Sequence, residues 1–124
     1  MEVAETLSSC PGVADVVVYG VAVPQADGRA GMAAIMPQAD FDLRALHSLA
    51  KARLPAYARP LFVRICAQID MTETFKPRKR ALASEGFDPR ATYDPIYVDD
   101  RSADAYVLID EGAFAKIQWG EVRF

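Results

Sequence analysis

Several absences narrow what this 124-residue chain can be. It has two cysteines, Cys10 and Cys66, too few for the disulfide framework on which short secreted domains lean. It has one histidine, His47, and with two scattered cysteines that excludes the clustered ligands of a metal site. No apolar run reaches the roughly 18 residues that a membrane-spanning helix needs. The opening Met1-Glu2-Val3-Ala4-Glu5 carries two acids and no basic stretch, so it does not read as a secretion signal. Internal repeats and low-complexity segments are missing too. Cytoplasmic residence is the default that follows.

What is present is enough for one domain. Hydrophobic residues make up 52% of the chain, so it can bury a core and is not disordered. The formal net charge of −3 argues against general nucleic-acid binding, because such domains are usually basic overall. That small charge hides a division. Residues 44–80 hold nine Arg or Lys against Asp70 and Glu73, a net of +7. Residues 85–112 hold eight acids against Arg90 and Arg101, a net of −6. The basic centre either pairs with the acidic stretch or faces an anionic ligand.

Periodicity supplies the elements. Val3, Ala4 and Leu7 sit at helical spacing, in a helix that starts abruptly, as if cut, and stops at Pro11-Gly12. The β-branched run Val13 to Val23 reads as a buried strand, and Asp27-Gly28 as the turn before a second strand, Arg29 to Met36. Asp40 and Asp42 are candidate N-caps for a helix to about Arg53, ended by Leu54-Pro55. A short strand follows over Leu61 to Ala67, with Arg64 on a face expected to be wet. Pro77 suits the first position of a helix that Gly86 stops. Phe87 to Arg101 reads as irregular and acidic, Ala105 to Ile109 as a short strand, and Phe114, Ile117 and Trp119 as the apolar face of a last helix. The expected class is α+β: a small mixed domain with a mostly three-stranded central β-sheet flanked by helices.

One feature is electrostatically out of place. Lys76, Arg78, Lys79 and Arg80 surround a helix start. Cations there cost roughly 0.3–1 kcal/mol each against the helix dipole. The same end, with free N–H groups, suits an anion. The residues alone leave two readings, a solvated basic face and an anion site. Lys76 shares a helix face with residues 79 and 80, and Arg78 points elsewhere.

With these elements placed, the chain resembles the C-terminal domain of the AMP-forming acyl-CoA synthetases, in the adenylate-forming superfamily. Leu54-Pro55-x-Tyr57-x-x-Pro60 and Thr74-x-Lys76-x-x-Lys79-x-x-Leu82 carry that resemblance. The superfamily usually has Gly before the lysine, where this chain has Phe75. That departure, with Glu85-Gly86-Phe87-Asp88-Pro89, Asp94-Pro95-Ile96-Tyr97, Tyr19-Gly20-Val21-x-Val23-Pro24 and Gly28-Arg29-Ala30-Gly31-Met32-Ala33-Ala34, resembles the branch of fatty acid transport proteins and very-long-chain acyl-CoA synthetases.

The resemblance implies a lid, residues 1–90, with a tail, 91–124, packed on it through Tyr97, Tyr106, Phe114, Ile117 and Trp119. It implies a fragment, since the large N-terminal domain and its Ser/Thr/Gly-rich phosphate loop are missing. The implied reaction activates a long or very long chain fatty acid as acyl-AMP and transfers it to coenzyme A. ATP and coenzyme A would be co-substrates, with Mg2+ accompanying ATP, all bound mainly by the N-terminal domain. That domain would be this chain's main partner, with peripheral membrane association compatible with the branch. Lys76 would be the catalytic lysine of the first step. Arg29 would touch coenzyme A or the large domain, and Lys79 would assist at the ligand. No metal ligand is expected here. Tyr57 and Arg59 read as structural and His47 as a partly exposed surface residue. Two other functions fit: a ligase for a carnitine, bile or aromatic acid, or a stand-alone anion-binding module.

Overall fold

The structure is a computed structural model that describes residues 3–22, 29–55, 58–66, 82, 84–100 and 102–118. Its centre is one mixed sheet of five strands in the order β1-β2-β3-β4-β5. These are β1 (Val13–Ala22), β2 (Arg29–Pro37), β3 (Phe62–Ile65), β4 (Ile96–Asp100) and β5 (Ala105–Leu108). Only β2 and β3 run parallel; the other neighbours are antiparallel. A parallel pair needs a long crossover, and α2 (Leu43–Arg53) lies within it. The other described helices are α1 (Val3–Ser8) and α3 (Glu111–Gln118).

Local chemistry explains most boundaries. Asp42 caps α2, its carboxylate accepting from the Arg44 N–H at 2.9 Å. At the other end Leu54, ahead of Pro55, is extended, as a residue before proline prefers. The α2 stripe Leu46, His47 and Ala50 is buried. Gly86, at φ +58°, ends a helical turn by donating its N–H to the Leu82 carbonyl at 3.0 Å.

Both faces of the sheet are covered. Val17, Tyr19, Val21, Met32, Phe62 and Ile96 face Phe87, Phe114 and Ile117. Ala33, Ile35, Val63 and Tyr106 face Leu7 of α1 and Leu46 and Ala50 of α2. Along β1 buried and half-buried positions alternate, as on an edge strand: Val17, Tyr19 and Val21 are buried on one face, and Val13, Val16 and Val18 pack, partly buried, on the other.

The α+β class is as expected, but the sheet has five strands instead of about three. The two further strands are β5, already read as a short strand, and β4, which lies in a stretch expected to be irregular. Its two aspartates conceal it: Asp99 faces His47, and Asp100 builds the turn to β5. There the Asp100 carboxylate accepts from the Ser102 N–H at 2.9 Å and hydroxyl at 2.6 Å. Asp104 closes the turn at φ +51°, a conformation aspartate tolerates.

Gly12 is required by geometry. Its φ is +86°, and a Cβ there would lie 2.3 Å from the Phe41 Cα and 2.4 Å from its N. The obstacle is backbone, which cannot swing aside. Gly12→Ala is expected to destabilise the fold by about 2–3 kcal/mol, adding strain to overpacking. Urea denaturation followed by circular dichroism measures this; an unchanged midpoint would contradict it.

Candidate functional site

The residues singled out for chemistry fall mostly beyond the described part. Lys76 and Lys79, with Pro77, Arg78 and Arg80, lie outside the described residues, as do Tyr57 and Trp119. Arg29 is described by its backbone alone, as the first residue of β2, paired with Ala22. The structure does describe the ground on either side of the lysine segment, and there the sequence reading needs correction.

Arg64 was expected on a wet face. Its side chain is instead 8% exposed and fully engaged. Nε donates to Asp94 Oδ2 at 2.9 Å, Nη1 to Glu85 Oε1 at 3.2 Å and Nη2 to Thr92 Oγ1 at 2.9 Å. Burial works against the guanidinium charge, but the bonds to Asp94 and Glu85 outweigh it and hold the pKa above its ordinary value. Two carboxylates thus converge on one arginine at the end of β3. The Tyr19 hydroxyl, buried with no hydrogen-bond partner among the described residues, feels the same charges. An arginine at mid-strand, with acids at 85 and 94, was the available signal. Charge alternation hid it, because an arginine between Val63 and Ile65 looks solvated.

Cys66 follows β3, its N–H donating to the Ile35 carbonyl at 2.8 Å. Burial pushes its thiol up from an ordinary 9.0 to about 11, with Arg64 opposing and Asp94 reinforcing the shift. A neutral thiol at neutral pH is a poor nucleophile. Burial raises Tyr19 and Tyr106 as well. The sign is common to all three: folding favours the protonated form. The contribution of Cys66 is therefore complete below pH 9 and is lost as pH rises through about 11, and those of the two tyrosines are complete below pH 10.0 and are lost at higher pH still. Urea midpoints are expected to stay level to pH 8.5 and fall from about pH 9 upward. A Cys66→Val variant is expected to fall less steeply; a flat profile to pH 11 would overturn the account.

The opposite face carries a second polar group. His47, expected at the surface, is 8% exposed. Its Nε2 lies 2.9 Å from Asp99 Oδ1, and its ring meets Tyr106 edge-on at 5.1 Å. The Tyr106 hydroxyl donates to the Pro60 carbonyl at 2.7 Å. His47 belongs with Leu46 and Ala50 on the buried stripe of α2, a spacing the sequence did contain. Arg59 has the structural role expected of it. It donates to the carbonyls of Leu54 and Lys51, both at 2.9 Å, satisfying the open end of α2. A groove of about 1160 Å³ opens beside this face, lined by His47, Lys51, Asp99, Asp104, Tyr106 and Lys116 among others. Lys51 and Asp104 pair across it at 2.8 Å, both well exposed.

Among the described residues no three His, Cys, Asp or Glu side chains group as a metal site. No described helix is long and apolar enough to cross a membrane.

Comparison with known proteins places this geometry. A family model, the AMP-binding enzyme C-terminal domain, matches residues 2–76. Long-chain fatty acid transport protein 1 of Mus musculus is 45% identical over 121 residues, 97% of this chain and 19% of that protein. Long-chain fatty acid transport protein 3 of Homo sapiens is 41% identical over 124 residues, 98% of this chain and 18% of that protein. The chain thus spans less than a fifth of the length of these relatives. Among solved structures, a Mycobacterium tuberculosis fatty acyl CoA synthetase superposes with a TM-score of 0.61 at 22% identity. That match covers 68% of this chain and 17% of the other, and at this identity it speaks for the fold. The chain belongs to the AMP-binding enzyme C-terminal domain family and is homologous to the C-terminal region of the long-chain fatty acid transport proteins.

Proposed function

We propose that this chain is the lid of a fatty-acid–CoA ligase that activates a long or very long chain acid as acyl-AMP and passes it to coenzyme A. The observation that carries this reading is the 45% identity to long-chain fatty acid transport protein 1 across 97% of the chain. In the proposed enzyme, ATP, its Mg2+ and most of coenzyme A belong to the large N-terminal domain. Residues 1–90 are the lid proper, and residues 91–124 an extension that completes its sheet with β4 and β5 and covers one face with α3.

Lys76 is the proposed catalytic residue. In the first half-reaction a carboxylate approaches the α-phosphate of ATP, so two anions must be brought together. A flexible ammonium beside the bridging oxygens lowers that repulsion and stabilises the charge of the transition state. Lys79 is proposed to steady the same anions, and Arg29 to meet coenzyme A or the large domain. The protein works in the cytoplasm, peripherally at the membrane that holds its acyl substrate.

The test joins the chain to its natural N-terminal domain and screens carboxylic acids for ATP-dependent pyrophosphate release. Long-chain fatty acids are expected to be the preferred substrates, and the isolated 124-residue chain is expected to make no acyl-CoA. Preference for an aromatic or bile acid would replace the substrate class. Absence of pyrophosphate release with every acid would remove the ligase reading.

A further inference from the structure

Lys76 lies in the stretch between residues 66 and 82, and residues on both sides of that stretch are described. They are tied together twice. On the leading side, β3 presents Phe62 and, two residues on, Arg64 to the same face. On the trailing side come Glu85, then Gly86 closing its turn, then Phe87. The rings of Phe62 and Phe87 stack at 4.3 Å with 1° between their planes. Arg64 Nη1 reaches Glu85 Oε1 at 3.2 Å. Two further bonds, from Nε to Asp94 and from Nη2 to Thr92, hold the guanidinium as well, so its position does not depend on Glu85 alone.

Stability alone does not require this arrangement. Replacing a buried ion pair by well-packed apolar side chains is often neutral or favourable. The surroundings are suited to such a replacement: Tyr19, Met32, Phe62, Cys66 and Phe87 share this core. What three directional bonds on a planar fork supply, and an apolar side chain does not, is a fixed distance and orientation.

We propose that Arg64 is a positioning residue: through Glu85 it fixes the separation of the two ends of the lysine segment and thereby where Lys76 is presented. This rests on the reading of Lys76 given above. Arg64 itself touches no substrate. It acts as a staple at the base of the segment, and the Phe62–Phe87 stack sets the height of that base on the sheet.

The experiment uses the full-length enzyme and measures three quantities. Pyrophosphate release reports the first half-reaction. Conversion of synthetic acyl-AMP with coenzyme A reports the second. Thermal unfolding reports stability. Arg64→Met and Glu85→Gln are each expected to slow the first step roughly 10- to 100-fold, as a misplacement near 1 Å does, while the second stays within about twofold. Arg64→Lys, which keeps one charged contact, is expected to recover part of the loss. In a Lys76→Ala background the same changes are expected to slow the first step no further, because the group they position is gone. Equal loss in both steps, or undiminished loss without Lys76, would assign Arg64 to folding alone and overturn the proposal. So would full first-step activity in both variants. Should Arg64→Met fail to fold, Glu85→Gln decides, since it leaves the Asp94 and Thr92 bonds in place. Lys76→Ala alone reports on the lysine reading, so failure there is distinct from failure of the staple.

Discussion

Lys76→Ala in the full-length enzyme is expected to slow acyl-AMP formation by about 10²–10³-fold, or ~3–4 kcal/mol of transition-state stabilisation. The reason is electrostatic. The carboxylate and the triphosphate repel, and the lysine is the charge proposed to lie between them. Conversion of supplied acyl-AMP and coenzyme A to thioester is expected to change little, because that step no longer joins two anions at the α-phosphorus. Arg78→Ala is expected to leave both steps near their original rates, because three- and four-residue spacing from Lys76 selects residues 79 and 80 and not 78. The paired assay is pyrophosphate release against thioester formation. Equal impairment of both steps by Lys76→Ala would assign the lysine to docking or folding. No impairment of either would leave the motif without chemistry.

Phe62→Ala is expected to destabilise the chain by about 3–5 kcal/mol, the usual range for a buried phenylalanine. Phe62 is 0% exposed and stacks on Phe87, which in turn meets Phe114 of α3 at 5.4 Å and 58°. The three rings join β3, the turn after Gly86 and α3. They hold the acidic second half of the chain against the first. Removing the Phe62 ring leaves a cavity in the packed core of the sheet, which can collapse only partly. Phe62→Leu keeps more of the volume and is expected to cost less than ~1.5 kcal/mol. Urea denaturation monitored by circular dichroism measures both. A loss below 1 kcal/mol for Phe62→Ala would mean that the site relaxes and the stack carries little of the core's packing.

Local patterns could be read wherever local physics decides. Asp42 as N-cap, Leu54-Pro55 as the stop of α2 and Gly86 as a helix terminator depend on backbone groups within a few residues, and each stands where the chain places it. The first two strands were equally plain, since β-branched residues and turn signals are local. The family was legible for a different reason. Residues 54–60 and 74–82 carry a spaced combination too specific for a solvated basic face, and the matched region runs through residue 76.

Charged and polar residues were the places where the sequence misled. Arg64 and His47 looked like surface, because a polar group read alone is assigned to water, and Asp94 and Asp99 fell in a stretch read as irregular. In the fold each has a distant partner: Asp99 lies 52 residues from His47, and Asp94 lies 30 from Arg64. The acidic stretch 85–112 and part of the basic centre find each other across the sheet, in the buried Arg64 group and the exposed Lys51–Asp104 pair. The same blindness concealed β4. Its three β-formers are too few to announce a strand beside two aspartates, and pairing with β3 and β5 makes it one.

The sequence alone determined the class, the family and the lysine to test, because caps, turns and motif spacing act over a few bonds. Tertiary structure alone decided β4, the inward turn of His47 and the staple at Arg64. Burying a charge costs too much unless a partner waits, and only the folded sheet brings residues 64, 85 and 94 together.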